Sequence, residues 1–135
     1  MNSSRLPALR LSAFAALLFL ALGFSSGCTS VQVTSDDKAV GEYKLGYLIV
    51  QPTQPFDKVH EATKKAIKDM GYFLVKDESE APGKAELKER TPDDTTVNIS
   101  LETLSATLTK VKIRHGLAGE LAPAQALYQA IAKNF

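Results

Sequence analysis

Between residues 84 and 114, apolar side chains fall on every second position three times in succession. Ala85 and Leu87 alternate with Lys84, Glu86 and Lys88. Val97, Ile99 and Leu101 alternate with Asn98, Ser100 and Glu102. Val111 and Ile113 alternate with Lys110, Lys112 and Arg114. A period of two is the pattern of a strand with one dry face and one wet face. The stretches "TPDDT" and "TLSAT" separate the three runs, and the Pro and Asp content of the first marks a tight turn. Half-wet strands on short turns require an antiparallel sheet and an apolar cover for its dry face.

Two amphipathic segments can supply that cover. In "TQPFDKVHEATKKAIKDMG", Pro55 suits the first turn of a helix. Phe56, Val59, Thr63, Ala66, Ile67 and Met70 then share one face at helical spacing. Lys58, Glu61, Lys65 and Lys68 point outward, Glu61 and Lys65 form an i,i+4 pair in the favourable order, and Gly71 provides a stop. In "APAQALYQAIAKNF", Leu127, Tyr128, Ile131 and Phe135 make a second stripe. "YKLGYLIVQ", residues 43–51, reads as one strand ending at Pro52. Tyr43, Leu45, Tyr47 and Ile49 then lie on one face, with Gly46 at a bulge or close contact. Residues 72–78 form a further strand. The expected fold is a two-layer α+β domain: an antiparallel sheet of four to five strands with two helices on one face, in the order β-α-β-β-β-β-α. The 135 residues suffice for one such domain.

The N-terminal part follows different rules. Residues 1–27 contain Arg5 and Arg10 and no acid, and from Leu11 to Ser35 the chain carries no charged side chain. "MNSSRLPALR" is a basic n-region, "LSAFAALLFLALGF" an apolar run of 14 residues, and Ser25, Ser26 and Gly27 are small. This is the layout of an export signal cut between Gly27 and Cys28. The apolar run is short for a membrane span, which needs roughly 20 residues. An uncleaved anchor is the alternative, because the uncharged stretch continues past Cys28. Residues 29–42, "TSVQVTSDDKAVGE", read as a flexible tether, although Val31 and Val33 could extend a strand. A coil of that length spans roughly 20 Å.

Cys28 is the one cysteine, which excludes an internal disulfide and any zinc site built on several thiolates. The sequence Ser25-Ser26-Gly27-Cys28 resembles a bacterial lipobox, with Ser25 where Leu is commonest. The resemblance implies a diacylglyceryl group on the Cys28 thiol, cleavage before it and acylation of the new amino group. Two or three acyl chains suffice for stable attachment. Thr29, where Asp would favour inner-membrane retention in enteric bacteria, implies the outer membrane. The expected organisation is a signal peptide over 1–27, a lipidated N-terminus and tether over 28–42, and a single domain over 43–135.

From Tyr43 onward the chain resembles a family of small bacterial lipoproteins catalogued as domain of unknown function 3568. The resemblance rests on "PFDKVHEATKKAIKDMGY" and on "TKVKIRHGLAGELAPAQALYQAI". Within the latter, Ile113, Arg114, Gly116, Gly119 and Glu120 match an I-R-x-G-x-x-G-[DE] run in which many members have Asp at the last position. It implies the same order of elements and a lipid anchor, and it brings no catalytic residue.

The chemistry-bearing residues are few. His60 and His115 have no carboxylate at metal-ligand spacing, so no metal site and no cofactor are expected. "GFSSG", residues 23–27, matches the hydrolase nucleophile elbow only in letters, because that motif requires a strand before it and a helix after it. "HGLAGE" could offer backbone amides to an anion, though its glycines suit turns and Glu120 a helix start. Asp36-Asp37 and Asp93-Asp94 fall in exposed tether and turn, where acid–base chemistry lacks a shielded site. Lys110, Lys112 and Arg114 form a basic row able to contact phosphate headgroups, with Glu86 and Glu102 available to balance it. With 16 basic and 15 acidic residues there is no excess for nucleic acid. The expectation is a non-enzymatic lipoprotein of the bacterial envelope, anchored through Cys28, facing the periplasm and contacting another envelope component. A small-ligand or headgroup-binding module is the alternative.

Overall fold

The computed structural model describes residues 29–33 and 40–135. They form strands β1 (Thr29–Gln32), β2 (Val40–Lys44) and β3 (Tyr47–Val50), helix α1 (Phe56–Asp69), strands β4 (Phe73–Ala81), β5 (Lys84–Arg90), β6 (Thr96–Ser105) and β7 (Leu108–His115), and helix α2 (Leu121–Ala132). All strands join one antiparallel sheet in the order β1-β2-β3-β7-β6-β5-β4. Helix α1 carries the chain from β3 to the far edge, and three hairpins bring it back until β7 pairs with β3. Every other pairing joins strands consecutive in sequence, as short connections favour.

The dry face reads directly from the registers. Val50, Val111, Leu101 and Ala85 form one buried row across four strands, and Leu48, Ile113, Ile99 and Leu87 form the next. Val59, Ala62, Thr63, Ala66 and Ile67 of α1 and Ala124, Leu127, Tyr128 and Ile131 of α2 are buried as well. Together they close a two-layer core, with Phe56, Met70 and Phe135 packed at its margin. The expected helical stripes are therefore the ones buried. Gly71 ends α1 in a Schellman arrangement: Tyr72 N–H bonds the Ile67 carbonyl and Gly71 N–H the Lys68 carbonyl. Glu61 pairs with Lys64, at 2.7 Å, and not with Lys65 as its spacing suggested.

The sheet has seven strands, more than the four to five expected. One reason is the 43–51 run, which is a hairpin and not a single strand. Leu45 and Gly46 have φ of 52° and 79°, and two positive φ values in a two-residue loop are the signature of a type I′ turn. The turn also splits the expected common face: Tyr47 and Ile49 share the partly exposed face, while Tyr43 pairs with buried Leu48 on the other. The second reason is that residues 29–32 and 40–42 are sheet, where a coil was expected. Thr29 pairs with Tyr43 and Val31 with Gly41. Val33 is fully buried, and the side-chain amide of Gln125 donates to the Gln32 carbonyl at 2.6 Å. A Cβ on Gly41 would lie 2.8 Å from Val33 Cγ1, so the bare glycine makes room for that valine.

The β2–β3 turn touches the loop between β7 and α2. A Cβ on Gly46 would stand 2.9 Å from the Ala118 carbonyl oxygen, and a Cβ on Gly119 would fall inside the backbone of Gly46. Tyr43 donates its hydroxyl proton to the Gly119 carbonyl. Gly46 thus sits at a close contact, one of the two roles expected of it.

Candidate functional site

The face of the sheet away from the helices is open, and its charges are ordered across the strands. Arg114, Asn98, Lys88 and Lys76 follow one another in register from β7 to β4. At the β3 side of the same band stand Tyr47 and its partner Lys44. The Lys112 ammonium lies 4.1 Å from the Tyr47 ring centroid and the Arg114 guanidinium carbon 5.1 Å from it. Such exposed cation–π contacts contribute about 0.5–1 kcal/mol each. The next row, Lys112, Ser100, Glu86 and Glu78, turns acidic toward β4. In the third, Glu102 accepts from Lys110 at 2.5 Å and Lys84 at 3.1 Å, and these partners hold its carboxyl below the usual range.

The basic row expected along β7 is therefore divided. Lys112 and Arg114 meet on one aromatic ring, while Lys110 is neutralised by Glu102, one of the two acids expected to balance the row. A second row with basic residues runs perpendicular to the strand through Arg114, Asn98, Lys88 and Lys76, the last paired with Glu78 at 2.6 Å. Strand registers create it, and no short stretch of sequence displays them.

Under the helices lies a second group of ionisable residues. Glu89 follows Ala85 and Leu87 on the dry face of β5, is 0% exposed, and neither carboxylate oxygen has a hydrogen-bond partner. Burial, with a smaller contribution from the Asp77 charge, pushes its pKa up to about 8, so it is a neutral acid at pH 7. Val97 separates it from His115 in the same cross-strand row. His115 continues the Val111 and Ile113 alternation into the interior, as expected. Its Nδ1 is buried without a hydrogen bond, and the Glu120 carboxylate is 3.7 Å away. The Tyr72 ring stands 6.4 Å from that imidazole. Burial, then the charges of Asp93 and Glu89, raise the Tyr72 pKa. His60 on α1 bonds Asp77 of β4 at 3.1 Å. Both histidines thus have carboxylates brought by the fold, not by sequence spacing. The sequence reading passed over Glu89, although an acid continuing the Ala85 and Leu87 parity is a visible sign.

Other expected positions fall as follows. Gly27 and Cys28, the "GFSSG" stretch and Asp36-Asp37 lie outside the described residues. Asp93 accepts hydrogen bonds from Thr91 and Thr95, and Asp94 pairs with Arg90, all within the β5–β6 turn. In the "HGLAGE" loop the Gly116 N–H bonds the Thr96 carbonyl and the Glu120 N–H the His115 carbonyl, so both amides serve the loop itself. Among the described residues, no three His, Cys, Asp or Glu side chains converge as metal ligands. No helix among them is long and apolar enough to cross a membrane.

The fold and surface define a class: a small α+β domain with one antiparallel sheet, two helices on its dry face and a basic band on its open face. The chain belongs to the family described as Protein of unknown function (DUF3568), whose model matches residues 10–134. A search of the curated proteins found no match.

Proposed function

We propose that this chain is a non-enzymatic lipoprotein of the bacterial cell envelope, held at a membrane through acylated Cys28 and acting by contact with another envelope component. Residues 1–27 are its signal peptide, and the domain faces the periplasm, at the outer membrane by the criterion of Thr29. Cleavage before Cys28 removes none of the described elements, because β1 begins at Thr29.

One observation carries the contact role. Strand β4 is a sheet edge that pairs, among the described residues, with β5 alone, and its Phe73, Leu74 and Val75 are all exposed. An edge of unpaired backbone groups flanked by apolar side chains suits an extended segment of another protein. The non-enzymatic reading draws on Glu89. Acid–base catalysis requires contact with substrate, and the most perturbed carboxyl of the described residues is enclosed by core.

The small-ligand alternative has less support. Hollows of about 140 and 250 Å³ lie on the open face and not between helices and sheet. Ligand pockets usually measure about 300–1,000 Å³.

The test is photocrosslinking in living cells from positions 74 and 75, with position 58 on the outer face of α1 as control. A discrete adduct from β4 absent from α1 is the expected result. Identical patterns from all three positions would remove the edge as the contact surface.

A further inference from the structure

We infer that the domain itself seats on a lipid bilayer, end on, through the β2–β3 turn and the β7–α2 loop. The inference rests on the acylation of Cys28 proposed above. It adds which part of the fold meets the membrane and why there is no standoff.

Leu45 is 84% exposed and Leu117 is 93% exposed, the two most exposed large apolar side chains described. They crown two loops in direct contact through Gly46, Ala118 and Gly119, so they form one apolar tip. Leu45 also has a φ of 52°, in the left-handed region. A leucine is disfavoured there, and Asn or Asp with a following Gly is what such turns prefer. A strained and exposed leucine serves neither the turn nor the core, which points to an apolar environment outside the chain.

The start of β1, directly after Cys28 in sequence, says what that environment is. Thr29 pairs with Tyr43, two residues before the Leu45 turn. Strand β1 therefore begins at the sheet end that carries Leu45. Strand β1 is fixed by buried Val33 and by the Gln125 bond, so no coil lies between the acyl chains and the fold. Lys44, Lys112 and Arg114 flank the tip on the open face beside Tyr47, and Tyr43 stands on the helix face with its hydroxyl on the Gly119 carbonyl. Leucines at the tip, with tyrosine and cations together just behind them, is the order of a bilayer surface with anionic headgroups. The acids of this end are Asp69, Asp93, Asp94 and Glu120, and Glu42 shares the cross-strand row of Lys112; Asp69 closes α1 where the chain enters β4, at the far edge from β2. Asp94 is paired with Arg90 and Asp93 is held by Thr91 and Thr95 in the β5–β6 turn, while Glu120 lies toward His115. The seat is thus the β2–β3 side of the end and not the whole of it.

The chain has no tryptophan, so single tryptophans report cleanly. Full-length protein purified from membranes is reconstituted into vesicles of phosphatidylethanolamine and phosphatidylglycerol, with or without brominated acyl chains. Leu45→Trp and Leu117→Trp are compared with Leu104→Trp, in the strand end that runs into the opposite β6–β7 turn, each after a thermal melt establishes folding. The expected result is bromolipid quenching and a blue shift for the first two probes and neither for the third. Vesicle-bound protein with equal quenching at all three positions overturns the seating while leaving the anchor intact. Protein that neither floats with vesicles nor takes up labelled palmitate at Cys28 removes the anchor and the seating with it.

Discussion

Leu45 and Glu89 each sit where folding alone would place another residue. Leu45 holds a positive φ that costs an L-residue with a Cβ roughly 1–2 kcal/mol, and Asn tolerates it better. Leu45→Asn is expected to stabilise the domain by about 1 kcal/mol in urea unfolding while weakening any contact made by that tip. A neutral or destabilising effect would mean that the leucine makes contacts the fold needs. Glu89 has a folded pKa of about 8 against an ordinary value of 4.5. The folded state therefore favours the protonated form. Its contribution is fully present below about pH 4.5, is lost progressively as pH rises to about 8, and changes no further above that. Glu89→Gln should match the parent protein near pH 4 and exceed it near pH 8, measured as urea midpoints across the range. Parallel profiles would place Glu89 in contact with a partner that satisfies its charge. The acid was legible in sequence as a break in the apolar parity of "KAELKER", whereas the absence of a partner for its oxygens belongs to the packed core.

Among the elements, those with a strong local period were legible and those set by tertiary contacts were not. Strands β5, β6 and β7 and the stripes of α1 and α2 follow from periods of two and 3.6, because the dry face must be apolar. The β2–β3 hairpin lacked its usual Asn-Gly mark, so an unbroken apolar run concealed a turn. Strand β1 is short and polar, and its pairing is earned by Val33, which finds a socket beside Gly41 and Leu48. Val33→Ala should therefore cost about 2 kcal/mol of stability and expose β1 amides to hydrogen exchange. No change in either would return residues 29–33 to the expected tether. Of the candidate site, Lys112 and Arg114 were named from sequence, but their convergence on Tyr47 depends on β3 lying beside β7, a pairing across some sixty residues of chain.

As a whole molecule, the domain has two unlike faces, two unlike edges and an apolar tip on the β2–β3 side of one end. Helices fill the dry face, ordered charges cover the open one, and among the described residues β4 is the edge strand on the side opposite β1, with exposed apolar side chains. With β1 starting one residue after Cys28, an anchor at that residue presents β4 on the far side of the sheet. The arrangement leaves the proposed contact edge away from the proposed attachment point, which suits a protein held at one surface while engaging another component. All of this turns on the chemistry of Cys28. The direct measurement is the intact mass and N-terminal sequence of the full-length chain after expression in bacteria and extraction from membranes. The expected species begins at Cys28 and carries a diacylglyceryl thioether and an N-acyl chain, and Cys28→Ser yields the unprocessed precursor. A mature chain that begins elsewhere, or that carries a free Cys28 thiol, would contradict the proposed anchor.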